Sequence, residues 1–231
     1  MVLVASCAPG TGEIVTECVV NDDQSNLFKG HWTARPVPLA VVANDFSSSE
    51  LNAIRAAIST WNAHFSAAKG FELYLSGSAV LSQVSSSTTR ITSSTACSQT
   101  LVSPSGFTGR IMLYKNASSW SFGSAVIGIT SLCPVSVSSN PYRVFISAVM
   151  ELNYVDYFRS GKPQPDLQSV MLHELGHLLG LDHSCNGSNC TQAPDEYKTA
   201  VMYPALGFDG MVGRQKRSLE ANDQGRANCL Y

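Results

Sequence analysis

The chain has 231 residues, 44% of them hydrophobic and only 14% charged, with 15 basic against 17 acidic side chains and a formal charge of −2. That length and apolar content suit one large domain with a core that folds without help. The weak charge and the lack of basic clusters exclude a nucleic-acid surface, and the longest apolar runs are far too short to span a bilayer.

Seven cysteines, none in a C-x-x-C pair, point to disulfides in an oxidising compartment rather than to a zinc ribbon or a redox motif. Val4-Ala5-Ser6-Cys7 resembles a bacterial lipobox, so a lipid anchor at Cys7 is one expectation, and it leaves an even set of six cysteines. The competing reading is an ordinary cysteine near a start site. Residues 1–30 are read as a signal-peptide remnant followed by a flexible tether or pro-segment, because 8–30 carry little apolar pattern. The protein is expected to be secreted or held at a cell surface as a lipoprotein, and to be a monomer.

Order is expected from about Trp32. Pro36 to Val42 is an apolar run punctuated by prolines and suits an edge strand. Ser47 and Glu50 form a capping-box start, and Leu51, Ile54, Ile58, Trp61 and Phe65 recur at steps of three and four until Gly70, so a helix packs one stripe on the core. Strands are expected at 71–75, 110–114, 125–132 and 144–152, where β-branched and aromatic residues lie between Ser, Gly and Pro. The stretch 82–99 is dominated by Ser and Thr and reads as a surface loop pinned by Cys97, with no apolar face to bury. A second helix is expected from Pro165 to about Gly180.

That helix carries His173-Glu174-Leu175-Gly176-His177-Leu178-Leu179-Gly180-Leu181-Asp182-His183, the pattern H-E-x-x-H-x-x-G-x-x-H. Helical residues four apart sit about 40° from one another and one turn along, so His173 and His177 aim two imidazoles at one point. Leu167, Met171, Leu175, Leu178 and Leu179 fall on the opposite face and hold the helix by packing. Gly180 permits a sharp exit, after which His183 returns as third ligand. Three nitrogen donors leave a fourth position of a tetrahedral Zn²⁺ for water, as in a catalytic site. Glu174 cannot readily share the face of both histidines and is assigned to that water as general base. An ordinary buried helix would have no reason to fix His, Glu, His, Gly and His at these five positions.

With Val201-Met202-Tyr203-Pro204 matching a Met-turn and Ser184 following the third histidine, the chain resembles the metzincin metallopeptidases, and among them the matrixins, over roughly residues 30 to 231. The resemblance implies an α+β domain over 31–231, with an upper part to about 180 and a lower part from 181. It implies a twisted, mostly parallel sheet with one antiparallel edge strand, two long helices, and a small C-terminal subdomain with the Met-turn and a final helix near Ser218 to Tyr231. Met202 would lie beneath the zinc, Tyr203 and Pro204 would wall the pocket for the residue after the scissile bond, and Ile127-Gly128-Ile129 would form the edge that pairs with an extended substrate. The implied activity is zinc-dependent endoproteolysis of protein or peptide substrates.

The chain departs from the family in several places. Only His31 and His64 remain outside the motif, so a second, structural zinc is not expected, and both are read as surface or packing residues. No clear acidic cluster marks a calcium site. The Arg-Cys-Gly latency motif does not occur, and the stretch between His183 and Met202 is long, with Cys185 and Cys190 close enough to pair. Cys18, Cys97, Cys133 and Cys229 then allow three pairings. The alternative from another functional class is a catalytically silent, zinc-bearing peptide-binding module or surface lipoprotein, which would need no base at Glu174.

Overall fold

The computed structural model describes residues 14–138, 141–186, 190, 192–205 and 215–231. Cys7, with the lipid anchor read from it, lies outside the described residues. A five-stranded sheet runs in the order β2-β1-β5-β7-β6, with β1 at Leu39–Val42, β2 at Ser82–Val84, β5 at Ile111–Asn116, β6 at Gly128–Val135 and β7 at Val144–Asn153. Pairing is parallel except between β6 and β7, so β6 is the one antiparallel strand and it lies at an edge. A small hairpin of β3 (Val102–Ser103) and β4 (Gly106–Phe107) stands apart.

Alternation along the strands divides the core in two. Leu39, Val41, Ile111, Leu113, Met150 and Leu152 face the helices α1 (Ser48–Lys69) and α2 (Leu167–Leu179), while Ala40, Met112, Tyr114 and Val149 face the other way. The first helix begins and ends as its sequence dictates. Glu50 N–H donates to Ser47 Oγ and Ser47 N–H to the Glu50 carboxylate, a reciprocal cap of about 1 kcal/mol, and Gly70 closes the helix at φ 73°. Ile54, Ile58, Trp61 and Phe65 are all buried, each contributing on the order of 2 kcal/mol.

The second helix is held by more than packing. Four aromatic side chains from distant parts of the chain donate to its carbonyls: Trp61 Nε1 to Leu172 (2.9 Å), Tyr74 Oη to Leu175 (2.5 Å), Trp32 Nε1 to Leu178 (2.8 Å) and Tyr231 Oη to Leu179 (2.8 Å). The last two satisfy carbonyls that a helix end leaves without partners. At the other end Asp166 caps the helix through Ser169 N–H (3.0 Å) and accepts from Arg217. Two short helices follow, α3 (Asp195–Thr199) and α4 (Ala221–Asn228).

Four expectations are corrected. The run ending at Val42 is not an edge, because β2 pairs with β1 on its outer side; Pro36 and Pro38 precede the ladder. That outer strand lies in the Ser-rich stretch, where a parallel ladder needs backbone alone. Ile91 and Ala96 from the same stretch are buried on the outer face of the sheet, closed down by Cys97–Cys133. Residues 71–75 form only a bridge, Val37 to Tyr74, because Asn62 of α1 takes both Tyr74 N–H (2.9 Å) and Tyr74 C=O (2.8 Å), groups a ladder would have used. Finally, the segment read as a tether is bound from Val15 onward. Val15 N–H donates to Gln224, Cys18 is bonded to Cys229, and Gln24 and Leu27 are buried. The pairing of Cys185 with Cys190 is as the sequence indicated.

Candidate metal centre

His173, His177 and His183 converge: one ring nitrogen from each lies within 4.8 Å of the others, and they are the only group of metal-ligating side chains so placed among the described residues. His177 Nε2 and His183 Nε2 are 3.3 Å apart. The first two rings are oriented from behind, since His173 Nδ1 lies 2.8 Å from Val201 O and His177 Nδ1 2.8 Å from Leu181 O. A carbonyl can only accept, so Nδ1 carries the proton and Nε2 keeps its lone pair for a metal. Burial, and then the neighbouring rings, hold His173 well below the ordinary imidazole range, and burial and His183 pull His177 down to about 4. Burial also lowers His183, against the pull of Asp182. Three neutral, converging imidazoles suit a zinc ion, which takes nitrogen donors without protons.

Glu174 is buried beside them. Thr130 Oγ1 of β6 donates to Glu174 Oε2 (2.7 Å) and also to its backbone carbonyl (3.1 Å), so the edge strand fixes this carboxylate. The other oxygen, Oε1, faces Gly128; a β-carbon there would lie 2.7 Å from it. Burial pushes the Glu174 carboxyl up to about 7, opposed by the Thr130 hydrogen bond. A divalent cation at the three nitrogens would act the other way and favour the carboxylate.

The turn after α2 depends on Gly180, at φ 121°, where an added β-carbon would lie 1.8 Å from Gly30 O. Lys29 N–H donates to Gly180 O (2.8 Å), and Asp182 N–H to Leu27 O (3.0 Å). Asp182 in turn accepts from His183 N–H (2.9 Å) and from Lys29 Nζ (2.5 Å). Met202 is fully buried and packs against α2 at Gly176, where a β-carbon would meet Met202 Sδ. Asp223 of α4 grips that turn by accepting from Val201 N–H (2.8 Å) and Met202 N–H (3.0 Å).

The three histidines and Glu174 line a cleft of about 880 Å³. Its walls include the predicted Ile127, Gly128, Ile129 and Pro204, together with Thr130 and Tyr157. Tyr203 is not among the residues lining that cleft. It packs against the cluster of Cys185, Cys190, Ala193 and Tyr197, and its hydroxyl donates to Cys190 O (3.1 Å). His64 is a packing residue, buried with Nε2 3.1 Å from Asn228 Oδ1. Sequence reasoning did not single out Asp223, Arg226, Lys29, Gln24 or the role of Thr130. All but Thr130, a polar residue on the cleft strand, sit outside any motif.

No curated protein sequence matches the chain. Among solved structures, high choriolytic enzyme 1, a hatching-enzyme zinc-protease from the medaka fish Oryzias latipes, aligns with 87% of this chain and 93% of its own length, at 13% identity and a TM-score of 0.38. That similarity is too low to bear on function. The matrixin family model of peptidases matches residues 92–231, more than half of the chain, including Glu174 and all three histidines, and the chain therefore belongs to the matrixin family of zinc metallopeptidases.

Proposed function

We propose that this protein is an endopeptidase that hydrolyses peptide bonds within proteins, with zinc on His173, His177 and His183 and with Glu174 as general base. The observation that carries the reading is the buried carboxylate of Glu174 set between the three converging imidazoles and the edge strand of an open cleft. A zinc ion held there supplies Lewis acidity toward water and the peptide carbonyl. Glu174 accepts the proton of the attacking water at Oε1, its Oε2 being held by Thr130, and returns it to the departing amine. Thr130 keeps the carboxylate in one orientation throughout.

An extended substrate adds to the free edge of β6 at Gly128 and Ile129, so main-chain hydrogen bonds give affinity without a sequence requirement. Pro204 and Ile127 border the space for the residue after the scissile bond, and the adjacent Tyr203 packs against Cys185 and Cys190. Met202 serves as the apolar base under the metal. The domain division follows the same reading, with residues to about 180 above the cleft and 181–231 below it. Three disulfides point to an oxidising, extracellular setting, and no helix among the described residues is long and apolar enough to cross a membrane. We take the protein to act there as a monomer, secreted or anchored by lipid at Cys7.

The test is cleavage of an unfolded protein by the purified chain before and after a zinc chelator, with zinc then restored. Cleavage that stops with the chelator and returns with one equivalent of zinc is the expected result. Zinc binding without any cleavage would instead favour a peptide-binding module.

A further inference from the structure

The third ligand poses a physical problem that the first two do not. His173 and His177 ride on a helix clamped by four aromatic donors, but His183 stands on an irregular loop four residues beyond the helix end. A loop residue fixes a metal only if its own backbone is fixed. The backbone here converges on one side chain, Arg226 of α4, which is fully buried. Its Nη2 donates to Asp182 O (3.0 Å), to His183 O (3.2 Å) and to Leu27 O (3.0 Å).

Leu27 belongs to the N-terminal segment, and its carbonyl also accepts from Asp182 N–H. From the same segment Gln24 Nε2 donates to Ser184 O (2.7 Å), one residue past the ligand. The three carbonyls at 182, 183 and 184 are thus all held by side chains distant in sequence. A buried guanidinium is costly to keep, and packing alone would have been served by an apolar side chain of that size.

We propose that Arg226 is a positioning residue of the metal centre: its guanidinium pins the backbone of the third ligand, His183, to Leu27 of the N-terminal segment. This rests on the three histidines being the zinc ligands. All three contacts come from the one nitrogen Nη2, whose two hydrogens are shared among the three carbonyls.

The experiment measures zinc affinity by chelator competition, and the visible spectrum of the cobalt-substituted protein, for wild type, Arg226→Lys, Arg226→Gln and Gln24→Ala. Met112→Ala, on the opposite face of the sheet, reports how zinc affinity responds to general destabilisation. Loss of an outer-shell partner typically costs about 10- to 100-fold in metal affinity. Arg226→Gln is expected in that range with a changed cobalt spectrum, Arg226→Lys and Gln24→Ala at smaller losses, and Met112→Ala close to wild type. If Arg226→Gln does not fold, Arg226→Lys and Gln24→Ala decide the matter. Wild-type affinity and spectrum in the folded variants, or losses no larger than that of Met112→Ala, would overturn the proposal. Failure of the wild type itself to bind zinc would sink the metal reading instead.

Discussion

The two halves of the metal centre are built in opposite ways. The half on α2 is local: one helix, one period, two histidines four residues apart and a glutamate between them. The half around His183 and Met202 is assembled from a distance, by Lys29, Gln24 and Leu27 near one end of the chain and Asp223 and Arg226 near the other. A helix can supply direction by itself, whereas a loop must borrow rigidity, and here it borrows it from both ends of the chain tied together by Cys18–Cys229.

Replacing Cys18 and Cys229 by serine should break the comparison most sharply. A disulfide closing a loop of 211 residues restrains the unfolded chain strongly, and its loss should cost about 5 kcal/mol in the chain-entropy account. Denaturant unfolding would show it, and zinc affinity should fall further than in a variant equally destabilised elsewhere. Next in size is Gly180→Ala, which puts a side chain at φ 121° and against Gly30 O. A loss of roughly 3 kcal/mol in unfolding free energy is expected, of the order that strain and overpacking together produce. The first helix provides the contrast, because Ala56→Gly on it should cost only about 1 kcal/mol.

A smaller effect is expected in the pH dependence of the chelated protein. The folded state holds His177 at about 4 while the unfolded chain returns it to the ordinary 6.5. Between those values the unfolded state binds more protons, so stability is lost as pH falls from 6.5 toward 4 and levels off below. His177→Ala should flatten that slope in chemical denaturation measured across the window, whereas His64→Ala, at a buried packing histidine also lowered by burial, should flatten it less.

The same division decides what the sequence disclosed. Both long helices could be read residue by residue, because Ser47, Glu50, Gly70 and the histidine spacing act through local geometry. The antiparallel edge at Gly128 was legible through resemblance, and the sheet as a whole through its β-branched runs. What could not be read depends on partners far along the chain. Residues 71–75 look like a strand, but Asn62 occupies their hydrogen bonds. Ser82 to Val84 look like a loop, but a neighbouring backbone edge recruits them. The polar segment 15–30 looks like a tether because its holding contacts are hydrogen bonds and a disulfide rather than an apolar stripe. Nothing in the spacing of Asp223 or Arg226 announces that they hold the backbone at Val201–Met202 and at Asp182–His183.

The most direct test of the central claim is a paired measurement on Glu174→Ala: its zinc content and its rate of protein cleavage, beside the wild type. The account predicts one bound zinc in both and a rate lower in the variant by at least about a hundredfold, the lower bound for loss of a positioned general base. A variant that keeps its zinc and cleaves at the wild-type rate would contradict the account, because the proton would then be moving without Glu174.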